Sequence, residues 1–173
     1  KETLHAMGES VFLVRCSACH GITGDGIGGK AANLQIWGSE QGIVDTILNG
    51  SKGLDYPMGE MPAGLADADG AKAIAAYVAK EISAIKSTKN ENLVAMGKEL
   101  YAACAACHGD DGKGMDGMSA DLSKYGSSEF IVDVLNRGKN GNIGVMPKFN
   151  DGRLNEIQQK AVGEYVISLS KGE

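Results

Sequence analysis

The pentapeptide Cys16-Ser17-Ala18-Cys19-His20 occurs twice, returning as Cys104-Ala105-Ala106-Cys107-His108. Together the two copies hold all four cysteines and two of the three histidines of the 173-residue chain. Cys-x-x-Cys-His is the spacing of c-type haem attachment, in which each thiol adds to one vinyl group and the following His sits beneath the iron. No Cys is left over for a disulfide. A zinc site wants four ligands, and each pentapeptide supplies three. A thioredoxin-like dithiol wants a βαβ setting, which the sequence lacks. Two covalently attached haem c groups are the expected cofactors.

Outward from the pentapeptides, the chain repeats itself at an offset of 88. Gly24 and Gly26 map to Gly112 and Gly114, Leu34 to Leu122, and Trp37-Gly38 to Tyr125-Gly126. Ile43-Val44-Asp45 maps to Ile131-Val132-Asp133, Gly50 to Gly138, and Tyr77-Val78 to Tyr165-Val166. Upstream, Met7-Gly8 maps to Met96-Gly97 with one residue fewer in the second copy. The repeat predicts two domains, residues 1–86 and 87–173. The short polar run Lys86-Ser87-Thr88-Lys89-Asn90-Glu91-Asn92 is the expected linker.

Apolar periodicity predicts helices throughout. Leu4, Met7, Val11 and Val14 recur at helical spacing before the first Cys pair, as do Leu93, Met96 and Leu100 before the second. Ile43–Leu48 and Phe130–Leu135 read as short helices, and Asp67–Ile85 and Leu154–Leu169 as longer terminal ones. No convincing run of strands exists, so the expected class is all-α with Gly-rich loops. Aromatics are only 5% of residues, so two domains of this size would have thin cores. A large apolar plate in each would complete them.

The formal charge is −5, about −3 over residues 1–86 and −2 over residues 87–173. Neither half carries a basic stripe, so nucleic acid is not an expected partner. No stretch approaches the roughly 20 apolar residues of a membrane span. No leader opens the chain either, which suggests a mature protein or a soluble piece of a longer one.

Methionine as the sixth ligand favours electron transfer and raises the potential. Met146-Pro147 lies 38 residues after His108 and is the candidate of the second copy. The first copy offers two. The strict offset puts Met58 opposite Met146, whereas the Met-Pro dipeptide matches Met61-Pro62, and the local context favours Met61. His5 is the only other His and reads as a surface side chain. The expected metal ligands are therefore His20 and Met61, and His108 and Met146.

Each half resembles a class I cytochrome c domain. The resemblance rests on Met7-Gly8, Cys16-Ser17-Ala18-Cys19-His20-Gly21, Gly24-Asp25-Gly26, Ala32-Asn33-Leu34, Met61-Pro62-Ala63 and Ala75-Ala76-Tyr77-Val78. It implies that the first and last helices of each domain cross where a Gly meets an aromatic, placing Gly8 against Tyr77 and Gly97 against Tyr165. It also implies that the carbonyls preceding Asn33-Leu34 and Asp121-Leu122 accept from the proximal His Nδ1–H. Within the group, Trp37-Gly38, Ile43–Gly50 and Met61-Pro62 look most like the diheme subunit of cbb-type cytochrome oxidases, which carries two such domains behind a membrane anchor. By the same resemblance Trp37 donates to a haem propionate, and Tyr125 takes its place in the second copy.

These readings imply an electron carrier between redox protein partners rather than an enzyme, acting in the periplasm or at the periplasmic face of the inner membrane. It would be the electron-entry part of a membrane oxidase, or alternatively a free periplasmic diheme shuttle. A diheme peroxidase would need an open haem face and a larger chain.

Overall fold

The computed structural model describes residues 2–140 and 144–170. In chain order its helices are α1 (Glu2–Arg15), α2 (Ser17–His20), α3 (Glu40–Asn49), α4 (Ala68–Tyr77), α5 (Val94–Leu100), α6 (Ala102–His108), α7 (Gly114–Gly117), α8 (Ser128–Arg137) and α9 (Glu156–Ser170). A π-turn over Val78–Ile82 extends α4, and two 3₁₀ turns cover Glu91–Leu93 and Leu122–Lys124. The strands are two residues each, β1 (Lys139–Asn140) and β2 (Val145–Met146). The all-α class holds.

Local chemistry accounts for the helix ends. The Asp67 carboxylate accepts from Gly70 N–H at 2.7 Å to start α4, and Ser39 Oγ accepts from Gly42 N–H at 3.3 Å to start α3. Helices α3 and α8 each stop at a glycine in the left-handed region, Gly50 at φ 73° and Gly138 at φ 66°.

The compact units do not follow the repeats. One unit comprises residues 1–38 with residues 127–173; the other is the continuous stretch 39–126. The expected boundary at residue 86 falls inside the second unit. There Ser83 is fully buried, with its hydroxyl donating to the Ala79 carbonyl at 3.0 Å. Ala84 N–H donates to the Tyr125 carbonyl at 2.9 Å.

In the first unit α1 packs on α9. The core is Phe12, Ile131, Leu135, Phe149, Leu154, Val162, Val166 and Ile167. A β-carbon on Gly8 would lie 2.1 Å from the Ala161 carbonyl oxygen and 2.9 Å from the Tyr165 β-carbon. Gly8 therefore meets Tyr165, not Tyr77. In the second unit α5 packs on α4, over a core including Val44, Ile47, Ile74, Val78, Ile82 and Tyr101. Gly97 meets Ala73 and Tyr77, not Tyr165. The Gly-on-aromatic crossing exists at both places, but between repeats instead of within them.

Helix α5 follows α4 after a short connection and can fold straight back on it. Pairing α1 with α4 would instead close a loop of some fifty residues, but the observed pairing of α1 with α9 spans about 140, so loop entropy alone does not separate the two arrangements. Both crossings stack aromatic rings: Phe12 and Tyr165 lie 5.3 Å apart, and the equivalent Tyr101 and Tyr77 5.4 Å apart.

Candidate haem sites

Each Cys pair rides on a short helix that begins immediately after the first helix of its repeat, α1 or α5. Cys16 N–H donates to the Phe12 carbonyl at 2.9 Å, so the turn carrying the first motif continues from α1. Cys104 N–H donates to the Tyr101 carbonyl at 2.8 Å in the same way. Both motifs end at a glycine of positive φ, Gly21 at 86° and Gly109 at 81°. A side chain at Gly21 would meet Asp25 Oδ1 at 2.4 Å.

The loops that follow hold the two histidines identically. His20 Nδ1 is 3.0 Å from the Ala32 carbonyl oxygen, and His108 Nδ1 is 3.0 Å from the Ala120 carbonyl oxygen. These are the acceptors that the resemblance implied. A carbonyl only accepts, so each Nδ1 carries the proton and each Nε2 lone pair is available to a metal. Matching bonds fix both loops, with Leu34 N–H on the Gly24 carbonyl and Leu122 N–H on the Gly112 carbonyl, each at 2.7 Å.

All four thiols are free of disulfides. Cys19 and Cys107 are exposed, while Cys16 and Cys104 are half-buried. Burial, with a smaller contribution from Cys19, pushes the Cys16 thiol up to about 11. Cys104 is raised by burial and then by Cys107. Such thiols are protonated at neutral pH, the opposite of a thiolate zinc site or a reactive dithiol. Nor do three or more His, Cys, Asp or Glu converge on a metal position among the described residues. Two thiols three residues apart and free of disulfides, beside an imidazole whose Nε2 lone pair is available, fit covalent haem.

The methionine loops supply the other side. In the second unit Ser51 and Met61 form an antiparallel bridge, with Ser51 N–H on the Met61 carbonyl at 2.9 Å and Met61 N–H on Ser51 at 2.7 Å. In the first unit Lys139 pairs with Met146 in the β1–β2 ladder. Ser51 and Lys139 are 88 residues apart, each following the glycine that ends a helix. A β-carbon on Gly50 would lie 2.7 Å from the Met61 carbonyl oxygen, and one on Gly138 2.9 Å from that of Met146. Met61 and Met146 are thus structural equivalents. Met58 lies outside the bridge, is exposed, and has its N–H on the Met118 carbonyl at 2.9 Å.

Because the units cross the repeats, the ligand candidates are regrouped. Cys16, Trp37 and Met146 pack on the first core, and Cys104, Leu122 and Met61 on the second. His20 thus shares a unit with Met146, and His108 with Met61, where the repeat paired His20 with Met61. Trp37 is half-buried, with its ring 5.5 Å from that of Phe130. Tyr125 is buried, and its hydroxyl proton goes to the Ser39 carbonyl at 2.9 Å. His5 is exposed, as expected, 3.2 Å from Ser168 Oγ and edge-on to Tyr165.

Two residues with a direct bearing on the motifs escaped the sequence reading. Tyr101 donates to the Gly109 carbonyl at 2.8 Å, and Ser119 contacts both Cys107 and His108. Phe12 and Ala31 occupy the equivalent positions of the first copy, so comparing the copies for unmatched hydroxyls would have found both.

Two all-α units, each with a bonded histidine, a thiol pair and a bridge-held methionine, define a diheme c-type cytochrome. The chain matches the family described as cytochrome c oxidase, cbb3-type, subunit III, over residues 4–78 and again over 92–166, and it belongs to that family. It is 51% identical to the cbb3-type cytochrome c oxidase subunit CcoP of Helicobacter pylori (strain 52), over 94% of this chain and 58% of that protein. It is 34% identical to the CcoP subunit of Rubrivivax gelatinosus, over 96% of this chain and 55% of that protein. Against the FixP subunit of Bradyrhizobium diazoefficiens it is 33% identical, over 97% of this chain and 62% of that protein. The chain spans a little over half the length of these relatives. None of its described helices is long and apolar enough to cross a membrane.

Proposed function

We propose that the chain carries electrons from a redox protein donor to a cbb3-type oxidase at the periplasmic face of the inner membrane, doing no substrate chemistry of its own. The observation carrying this reading is the paired geometry: each unit holds one Nδ1-anchored histidine, and a bridge-held methionine and the first Cys of the motif pack on its core. Haem supplies a one-electron couple at each site. The chain's part is to hold that couple still and dry. Cys16 and Cys19 would tether one group and Cys104 and Cys107 the other, so that neither is lost. His20 and His108 are fixed in orientation by backbone carbonyls, which also raise the basicity of Nε2. Met146 and Met61, in loops tied at both ends, would complete the two ligand sets. Little reorganisation accompanies electron gain in such a frame, as a carrier requires. Exposed Cys19 and Cys107 leave one edge of each motif at the surface for partners. Redox partners commonly dock through small interfaces.

The test is a potentiometric titration of the chain with haem attached. Two one-electron components, each showing the long-wavelength absorption of Met ligation when oxidised, are expected. A high-spin component open to cyanide at rest would favour catalysis over carriage.

A further inference from the structure

We propose that Ser119 is a positioning residue that lowers the reduction potential of the His108 site below that of the His20 site. This rests on the haem reading above and goes beyond it by assigning a share of the inequality of the two sites to one hydroxyl, beside other differences between the loops such as Asp110 and Asp111 for Ile22 and Thr23.

The two histidine loops match in backbone: both Nδ1 atoms lie 3.0 Å from the equivalent carbonyls, Ala32 and Ala120. They differ one residue earlier, where the first copy has Ala31 and the second has Ser119. Ser119 is only 9% exposed. Its Oγ lies 2.7 Å from the Cys107 carbonyl oxygen and 3.3 Å from His108 Nδ1.

Proton bookkeeping fixes the direction of these contacts. The Cys107 carbonyl can only accept, so the Ser119 hydroxyl proton points to it. The His108 Nδ1 proton is needed by the Ala120 carbonyl. What Ser119 then offers Nδ1 is an oxygen lone pair, and the imidazole N–H is shared between two acceptors. At 3.3 Å the second is the weaker of the two, but it is buried, and its rotor is locked by the Cys107 bond. A fixed dipole in a poorly screened site acts more strongly than one in water. More acceptor density at Nδ1–H makes the ring a stronger donor through Nε2. A stronger donor favours the more positive, oxidised state. The His20 ring has a single acceptor, so the His108 site should give up its electron more readily, and an electron shared by the chain should rest at the His20 site.

Spectroelectrochemical titration of the full chain with both haems attached tests this, alongside NMR of the two Nδ1 protons. Ser119→Ala should raise the potential of the His108 site alone, narrowing the exchange equilibrium between sites about three- to tenfold. That is roughly 30–60 mV at 59 mV per tenfold for one electron. The His108 Nδ1 proton should move upfield, and Ser119→Thr should restore both signals. Ala31→Ser should lower the potential of the His20 site, which keeps the test open if Ser119→Ala fails to fold. A His108-site potential unmoved or lowered by Ser119→Ala in folded protein overturns the proposal. So does an Ala31→Ser chain whose His20-site potential does not fall. A chain whose intact mass shows no attached haem overturns the haem reading itself, a result separable from either of these.

Discussion

Gly97 stands so close to Ala73 that a β-carbon on it would lie 1.9 Å from the Ala73 carbonyl oxygen. Backbone cannot retreat as a flexible side chain can, so Gly97→Ala must push α5 off α4. Overpacking of this kind costs about 1–3 kcal/mol, sometimes more. Thermal unfolding followed at both haems should show the His108 site melting early in Gly97→Ala, and the His20 site in Gly8→Ala. Unchanged melting in both variants would refute the two crossings.

The regrouped ligands give a sharper expectation. In a chain left with one haem by Cys16→Ser and Cys19→Ser, Met61→Ala should abolish the Met-ligation band and lower the potential, while Met146→Ala should leave both nearly untouched. In the complementary chain, with Cys104 and Cys107 replaced, the dependence should reverse. Loss of the band on Met146→Ala in the first chain would show residues 87–173 closing on themselves.

Tyr125→Phe should cost about 1 kcal/mol, the usual net worth of one hydrogen bond. The Ser39 carbonyl loses the phenol and keeps the longer bond from Ile43 N–H at 3.4 Å, at the point where α3 begins. Denaturant unfolding measures the loss. The potential of the His108 site should stay within error, and a shift there would mean that the phenol touches the haem after all.

Charge is divided unequally between the units. Residues 39–126 hold eight Lys and Arg against thirteen Asp and Glu, whereas the remainder balances at nine of each. A basic donor should therefore be steered to the second unit. Its second-order rate of electron delivery should fall as salt rises from about 10 to 150 mM, while that of a neutral small-molecule donor stays level. Stopped-flow kinetics decide it: a flat salt profile for the basic donor would place its docking elsewhere.

Much of this was legible in the residues. The duplicated pentapeptide specified two sites, and the apolar spacing around Leu4–Val14 and Ile43–Leu48 specified helices. The Met61-Pro62 context pointed to the methionine that the Ser51 bridge makes equivalent to Met146. What the sequence hid was partnership. A repeat states that two surfaces match: Gly8 and Gly97 each face an Ala and a Tyr, Ala161 and Tyr165 or Ala73 and Tyr77. It does not state which copy supplies the partner. The alignment of Tyr125 with Trp37 predicts a shared place, and the hydroxyl bond to the Ser39 carbonyl is what it does not state.

The Tyr125–Ser39 bond also joins the two ends of the stretch 39–126. A polypeptide delivered from its N-terminus presents that stretch whole before the last of its companion unit has been made. Closing an 88-residue gap in an unfolded chain would cost roughly 4 kcal/mol. Once residues 39–126 have folded, Gly38 and Ser127 are brought together and most of that cost has already been met. With Met146 serving His20 and Met61 serving His108, the Cys-x-x-Cys-His motif translated first would be the last to meet its methionine.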